Sequence, residues 1–221
     1  MNADELITTF PRLYHMAHVN AWPGIKRHGL LSTSALLDLF EVSGSSREAL
    51  EANRRYDSIT MHHKRYGEAV IRDNKPMDDA GLVRALTDMA PKEWYRTLNR
   101  KVFFWPSEER LNRLLTARFN RSDNHCVIAV NTRRLVSDYH DKIWLCPINS
   151  GTTAKPRPQP RGTQTFRRIC DYPFNDWSRK RRSCIKAVAK LAVDHSVPNV
   201  RDYVEGVTIR NSTGVLRTLF R

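Results

Sequence analysis

The sequence predicts a mixed α+β domain, and three observations carry that expectation. Segments of β-branched and aromatic residues are separated by segments of helical periodicity. The 221 residues, 40% of them hydrophobic, suffice for one sizeable core. No G-x-G-x-x-G fingerprint marks a doubly wound dinucleotide domain. An antiparallel or mixed sheet with flanking helices follows, in a single domain over residues 1–221.

Each element has a local reason. "RLYHMA" (12–17) reads as a strand, and a helix begins near Trp22-Pro23-Gly24 and ends at "RHG", where Gly29 suits a left-handed cap. In "LLSTSALLDLF" either Ser32 or Ser34 suits the cap of another short helix. "SREALEANRRYDSI" is rich in helix formers, whereas "GEAVIRDNKPM" resembles a short strand ending in a turn. The stretch from Asp78 to Arg100 reads as one or two helices punctuated by Pro91. "KVFFWP" is a buried strand stopped by Pro106. "SEERLNRLLTARF" spaces Leu111, Leu114, Leu115 and Phe119 along one helical face behind a Ser107 cap, and "HCVIAVNT" is the clearest strand. Between Asn149 and Trp177 the Pro, Arg, Gly and Thr content of "AKPRPQPRGTQTF" predicts a long solvated loop. The segment "CIKAVAKLAVDHSVP" suits a helix by its alanines and lysines, or a strand by "LAV" before "SVP".

Composition narrows the function classes. No stretch approaches the roughly 18 to 20 continuous apolar residues of a membrane span, and "MNADELITTFPRLYH" lacks a secretion-signal layout, so a cytoplasmic protein without a membrane partner is expected. Cys126, Cys146, Cys170 and Cys184 form no CxxC pair and are expected to be reduced and mostly structural. The net charge of +14 is uneven: residues 151–186 carry ten Lys or Arg against Asp171 and Asp176. Such a basic surface attracts polyanions, nucleic acid first among them, or serves only solubility.

Particular residues point to chemistry. An imidazole at the centre of an apolar strand costs free energy unless hydrogen-bonded, so His15 is either paired to protein or reserved for a ligand. Together with the "STS" cluster it suits a pocket that bonds sugar hydroxyls beside an aromatic ring. Arg54 and Arg55 suit either a solvated helix face or the oxygens of a phosphate. Neither His62-His63 nor His125-Cys126 has metal-ligand spacing, so no metal is expected.

In order, "LYHMAHVNAWPGIKRHGLLSTSAL", "NRRYDSI", "VFFW" and "AKLAVDHSVPNV" resemble motifs of the bacterial ADP-ribosyltransferases of the DarT type and of a related uncharacterised bacterial family. The likeness runs from about Leu13 to Val207. It implies a split-sheet ADP-ribosyltransferase fold that takes NAD as co-substrate and transfers ADP-ribose to nucleic acid, DNA or RNA, in a toxin or defence setting where an antitoxin protein is an expected partner. By position, His15 would meet the ribose or nicotinamide side of NAD, Ser32 and Ser34 the adenosine end, and Arg55, or its neighbour Arg54, would steady the diphosphate and the departing bond, which makes Arg55 with position 190 the expected catalytic pair. Phe104 and Trp105 would border the cleft. The basic stretch, with Arg157, Arg161, Arg167, Arg168, Arg179, Lys180, Arg181 and Arg182, would meet the nucleic acid.

One departure bears on catalysis. Where the family's motif has a glutamate that stabilises positive charge on the ribose, this chain has Lys190 in "VAKLAVDHSVP". Three readings stay open: a different register; a substitute acid, Asp194 or Glu205; or a protein that binds NAD or nucleic acid without efficient transfer. In a strand, Lys190, Ala192 and Asp194 share a face, which makes Asp194 the nearer substitute, although it equally suits a turn before "SVP". The alternative from another class is a non-catalytic basic nucleic-acid-binding protein.

Overall fold

The segment 125–131, with Val127, Ile128 and Val130 beside small and polar residues, is built to be covered on both faces. In the computed structural model, which describes residues 1–220, it becomes an inner strand of the first of two antiparallel four-stranded sheets. The first half of the chain gives α1 (Ala3–Thr9), β1 (Arg12–His18), α2 (Trp22–His28), β2 (Leu30–Leu31), α3 (Thr33–Leu39) and α4 (Gly44–Ala52). A hairpin of β3 (Ile59–His63) and β4 (Gly67–Ile71), then α5 (Asp79–Ala85), α6 (Pro91–Asn99), β5 (Lys101–Phe104) and α7 (Glu108–Leu115) follow. The second half gives β6 (His125–Asn131), α8 (Thr132–Tyr139), β7 (Ile143–Cys146), β8 (Arg167–Arg168), α9 (Phe174–Arg181) and α10 (Cys184–Ala187). It ends with β9 (Lys190–Asp194), β10 (Ser196–Val197), β11 (Val204–Asn211) and β12 (Gly214–Phe220).

The first sheet has the order β1-β6-β11-β12 and the second β5-β9-β7-β8. One core lies between them: Leu13, Ile128 and Val130 from the first sheet meet Phe104, Leu145, Leu191 and Val193 from the second. The other face of the second sheet is covered as well, by Leu82 of α5 and Trp94 and Tyr95 of α6 together with Phe166. Because β9 is covered on both sides, its alternation places Leu191 and Val193 in the shared core, and Lys190, Ala192 and Asp194 on the helix-covered face. Both alternatives for this segment occur in succession: Cys184–Ala187 form the short helix α10, and Lys190–Asp194, with Leu191, Ala192 and Val193 at its centre, form the inner strand β9.

The sheets join at one corner. Tyr14 of β1 and Trp105, just past β5, exchange both backbone bonds, Tyr14 N–H to the Trp105 carbonyl (2.9 Å) and Trp105 N–H to the Tyr14 carbonyl (2.8 Å). Beyond this pair the strands part, and the His15 ring reaches across to the Phe103 carbonyl (Nδ1 to O, 2.9 Å).

Three expectations need correction. The helix through "SREALEANRRYDSI" stops at Ala52, because the Asn53 amide turns back to the Glu48 and Ala49 carbonyls, and Ile59 opens the β3–β4 hairpin. The α7 helix ends at Leu115 and leaves Phe119 exposed. Residues 149–177 are not one solvated loop: Phe166, Ile169, Tyr172 and Phe174, interspersed among the basic residues, are buried, and they anchor β8 and the start of α9. Asp78 and Asp79 head a separate α5, and Pro91 starts α6 at a position where no backbone N–H is required. No helix among the described residues is long and apolar enough to cross a membrane.

Gly29 closes α2 at φ +83°, and a Cβ there would lie 2.3 Å from the Pro198 Cα in the segment that carries β10. Gly29→Ala is therefore expected to destabilise the fold by about 2–3 kcal/mol, through left-handed strain and the forced separation of β2 from β10. Urea denaturation measures it, and an unchanged midpoint would contradict the assignment.

Candidate functional site

Where β1 and β5 part, a cleft of about 390 Å³ opens, bordered by α2, the β3–β4 hairpin and residues 149–151. His15 occupies its inner wall. A carbonyl can only accept, so Nδ1 carries the proton given to Phe103 O and Nε2 keeps its lone pair. Burial, with the positive charge of Arg72, pushes the imidazole down to about 4, so it is neutral at physiological pH. His28 also lines the cleft, edge-on to Tyr66 (5.8 Å), and its buried Nε2 has no partner among the described residues.

Lys190 is the least compensated charge in the cleft. It retains 7% exposure, and Nζ makes one long hydrogen bond, to Ser150 Oγ (3.4 Å). The rings of Phe103 and Trp105 stand 5.0 and 5.5 Å from Nζ. Across the ladder sits Cys146, whose buried thiol is pushed up to about 11 and therefore supplies no counter-charge at neutral pH. With no carboxylate at hand among the described residues, burial pulls the ammonium down to about 8. Arg72, half-buried, is a second cation on the wall. Its Nη2 donates to Asn120 Oδ1 (2.8 Å), while Asp73 and Asp123 act on it only at a distance. Sequence reading missed Arg72; its one signal was its place directly after the apolar end of "GEAVI".

The structure brings His15, Ser32, Arg55, Trp105 and Lys190, from separate parts of the chain, to this one cleft. Ser32 caps α3 by accepting from Ala35 N–H (3.1 Å). Arg55 is a buried strut: Nε, Nη1 and Nη2 donate to the Arg72 carbonyl, the Leu50 carbonyl and Asn99 Oδ1, so each nitrogen of the fork is already engaged. Ser34, Arg54 and Phe104 are not at the cleft. Ser34 is buried on the far side of α3, facing a groove shared with Asp38 and Arg47. Arg54 stacks on Tyr56 and bonds the Lys75 carbonyl. Phe104 lies wholly in the core, because alternation along β5 turns its neighbour Phe103 to the cleft instead.

Neither acid considered as a substitute reaches the cleft. Asp194 is held at the opposite end of β9 by Lys101 Nζ (2.5 Å), Trp144 Nε1 (2.6 Å) and Arg168 (3.6 Å). Glu205 pairs with Arg12 (2.7 Å) and Asn131 (2.7 Å) at the outer edge of the first sheet. Of the carboxylates that do line the cleft, Asp73 is taken up by Ser58 and the Lys75 N–H, while Glu68 is exposed on the hairpin, 3.6 Å from His62 Nδ1. Among the described residues no three His, Cys, Asp or Glu side chains converge as metal ligands.

The basic segment divides in two. Arg157, Arg167, Arg179, Lys180 and Arg182 are exposed, and Lys180 and Arg181 flank the Trp177 ring at 4.8 and 5.4 Å. Arg161, expected at the surface, is buried over Trp94 and donates to the Ser150 and Gln159 carbonyls. Arg168 stacks on Trp144 at 3.8 Å beside Asp194. These two position the loop and the second sheet.

Fold and site together define an α+β protein with two antiparallel sheets and a cation-lined cleft at their junction. Residues 11–204 match the model of a family of unknown function, DUF7002, and the chain belongs to that family. No curated protein matches it. Among solved structures, Thermosipho africanus DarTG in complex with ADP-ribose is similar at 15% identity and a TM-score of 0.44, covering 91% of this chain and 44% of that one. The chain thus spans less than half the length of that protein.

Two substitutions test the electrostatics. The unfolded chain holds the Lys190 proton up to its usual 10.5, whereas the folded chain releases it near 8, so folding carries the full cost of the buried charge below pH 8. Lys190→Met is expected to stabilise the protein by about 3 kcal/mol at pH 7, with the gain shrinking as the pH rises from 8 toward 10.5. Equal denaturation midpoints at pH 7 would contradict this. For His15 the unfolded chain takes up a proton near 6.5 and the folded chain resists to about 4, so stability present above 6.5 is lost as the pH falls through that window. His15→Asn, which keeps a donor toward Phe103, is expected to remove about 2 kcal/mol of that acid sensitivity, read as the difference between the two stability profiles.

Proposed function

We propose that the cleft binds NAD or ADP-ribose as an ADP-ribosyltransferase does, and that Lys190 leaves this chain a binder with little capacity to cleave the nicotinamide bond. One observation carries the reading: His15, Ser32, Trp105 and Lys190, from three of the four ordered motifs, line the same cleft. The donor set fits such a ligand. Buried Lys190 and half-buried Arg72 are cations without a paired carboxylate among the described residues, suited to a diphosphate, and Phe103 and Trp105 offer ring faces to a planar base. Neutral His15 offers an acceptor to a ribose hydroxyl. Bound NAD supplies an activated glycosidic bond, and breaking it develops positive charge on the ribose. An ammonium at position 190 opposes that charge where a carboxylate would favour it.

Nucleic acid is the proposed macromolecular partner. Exposed Arg179, Lys180 and Arg182 on and beside α9, next to the half-buried Trp177, support it, since cations hold phosphates and an aromatic face accepts a base. Strong salt-dependent affinity without NAD consumption would favour the non-catalytic binding protein over a transferase.

Calorimetric titration with ADP-ribose and a nicotinamide-release assay test the reading together. The wild-type chain is expected to bind ADP-ribose and release little nicotinamide, with Lys190→Glu releasing at least roughly tenfold more if the carboxylate lowers the barrier by about 1.4 kcal/mol. Absence of ADP-ribose binding in the wild type would overturn it.

A further inference from the structure

We propose that Lys190 is an imine-forming nucleophile, and that the cleft accepts an anionic aldose whose free aldehyde condenses with its ε-amine. The inference shares the cleft with the dinucleotide reading but does not require NAD.

Lys190 has the placement such an amine needs. Nζ lines an open cleft, yet the side chain is almost entirely withdrawn from bulk water. Aromatic rings stand on two sides of it, and Gly151 leaves the adjoining space free of a side chain: even a Cβ there would be 3.5 Å from Nζ. Among the described residues no carboxylate holds the ammonium form in place, and desolvation shifts the balance toward the free amine. A lysine kept only for packing has no reason to face a cleft, and one kept for solubility has no reason to be buried. Lys101 on the same sheet face makes the contrast: burial lowers it too, but its Nζ is bound to Asp194 Oδ1 at 2.5 Å, a fixed partner that leaves it no free position for a ligand.

The step balances without an oxidant or reductant. The Nζ lone pair forms a bond to the aldehyde carbon, the carbonyl oxygen takes up a proton, and a carbinolamine results. Its hydroxyl then leaves as water together with the remaining exchangeable N–H proton, giving a neutral C=N bond. The Ser150 hydroxyl, 3.4 Å from Nζ, is placed to pass the proton. Arg72, on the wall of the same cleft, supplies the charge for the phosphate of the aldose.

The test incubates the full chain separately with ribose 5-phosphate and with ADP-ribose, each in the presence of cyanoborohydride, followed by peptide mass spectrometry. The expected result is one reduced adduct on the peptide containing Lys190, formed roughly tenfold faster than on any other lysine, as for an activated amine. Lys190→Arg, which keeps the charge, and Lys190→Met, which is expected to be the more stable protein, should both lose it. Adducts spread evenly over exposed lysines, or none at position 190, would overturn the proposal. ADP-ribose binding by calorimetry with no adduct from either sugar would also overturn it while leaving the dinucleotide reading intact. An adduct with ribose 5-phosphate in a protein that does not bind ADP-ribose would support it and end the dinucleotide reading.

Discussion

The architecture depends on the single junction between its sheets, the Tyr14–Trp105 backbone pair extended by the His15–Phe103 bond. Two antiparallel sheets that share a core could pair along a whole strand; here β1 and β5 meet at one residue pair and then diverge. His15 lets the ladder end without leaving a bare carbonyl, because its Nδ1–H satisfies Phe103 O where a backbone donor would otherwise be needed. The parted strands are what make room for the cleft. A strand of uniformly apolar residues would tend to zip further and close it.

The cleft retains what a fold selected for stability alone would remove. Lys190 sits on the covered face of an inner strand, and replacing such a group with a well-packed apolar side chain is commonly stabilising. Arg72, half-buried, likewise rests against an amide rather than a carboxylate. Arg55 is the counterexample. Buried like Lys190, it is satisfied by carbonyl acceptors from three segments and acts as a brace holding α4, α6 and the Arg72 segment together. What separates a brace from a binding group here is whether protein acceptors saturate the charge, which no inspection of residue type reveals.

Much of the fold was legible because local signals agreed with the tertiary outcome. The strands at "RLYHMA", "KVFF" and "HCVIAVN", the Pro91 and Ser107 helix starts, and the Gly29 stop all follow from alternation, capping and backbone geometry. The failures share a cause. Arg161 and Arg168 looked like surface charge, but buried aromatic residues beside them draw the segment onto the second sheet, where Trp94 and Trp144 stack on their guanidinium groups. Phe103, not Phe104, faces the cleft because the side that β5 turns inward depends on its pairing with β9, a long-range contact that the local sequence does not encode. Asp194 shares a face with Lys190 as alternation requires, but lies at the other end of β9, already bound to Lys101.

On the proposed reading Lys190 is a buried cation whose missing counter-charge an anionic ligand supplies. NMR titration of protein carrying ¹³C at the lysine ε-carbons reads it directly, with the Lys190 resonance assigned through Lys190→Arg. A midpoint near 8 in the free protein, moving upward when ADP-ribose supplies the missing negative charge, is the expected result. A resonance that titrates near 10.5 and is indifferent to ADP-ribose would contradict it.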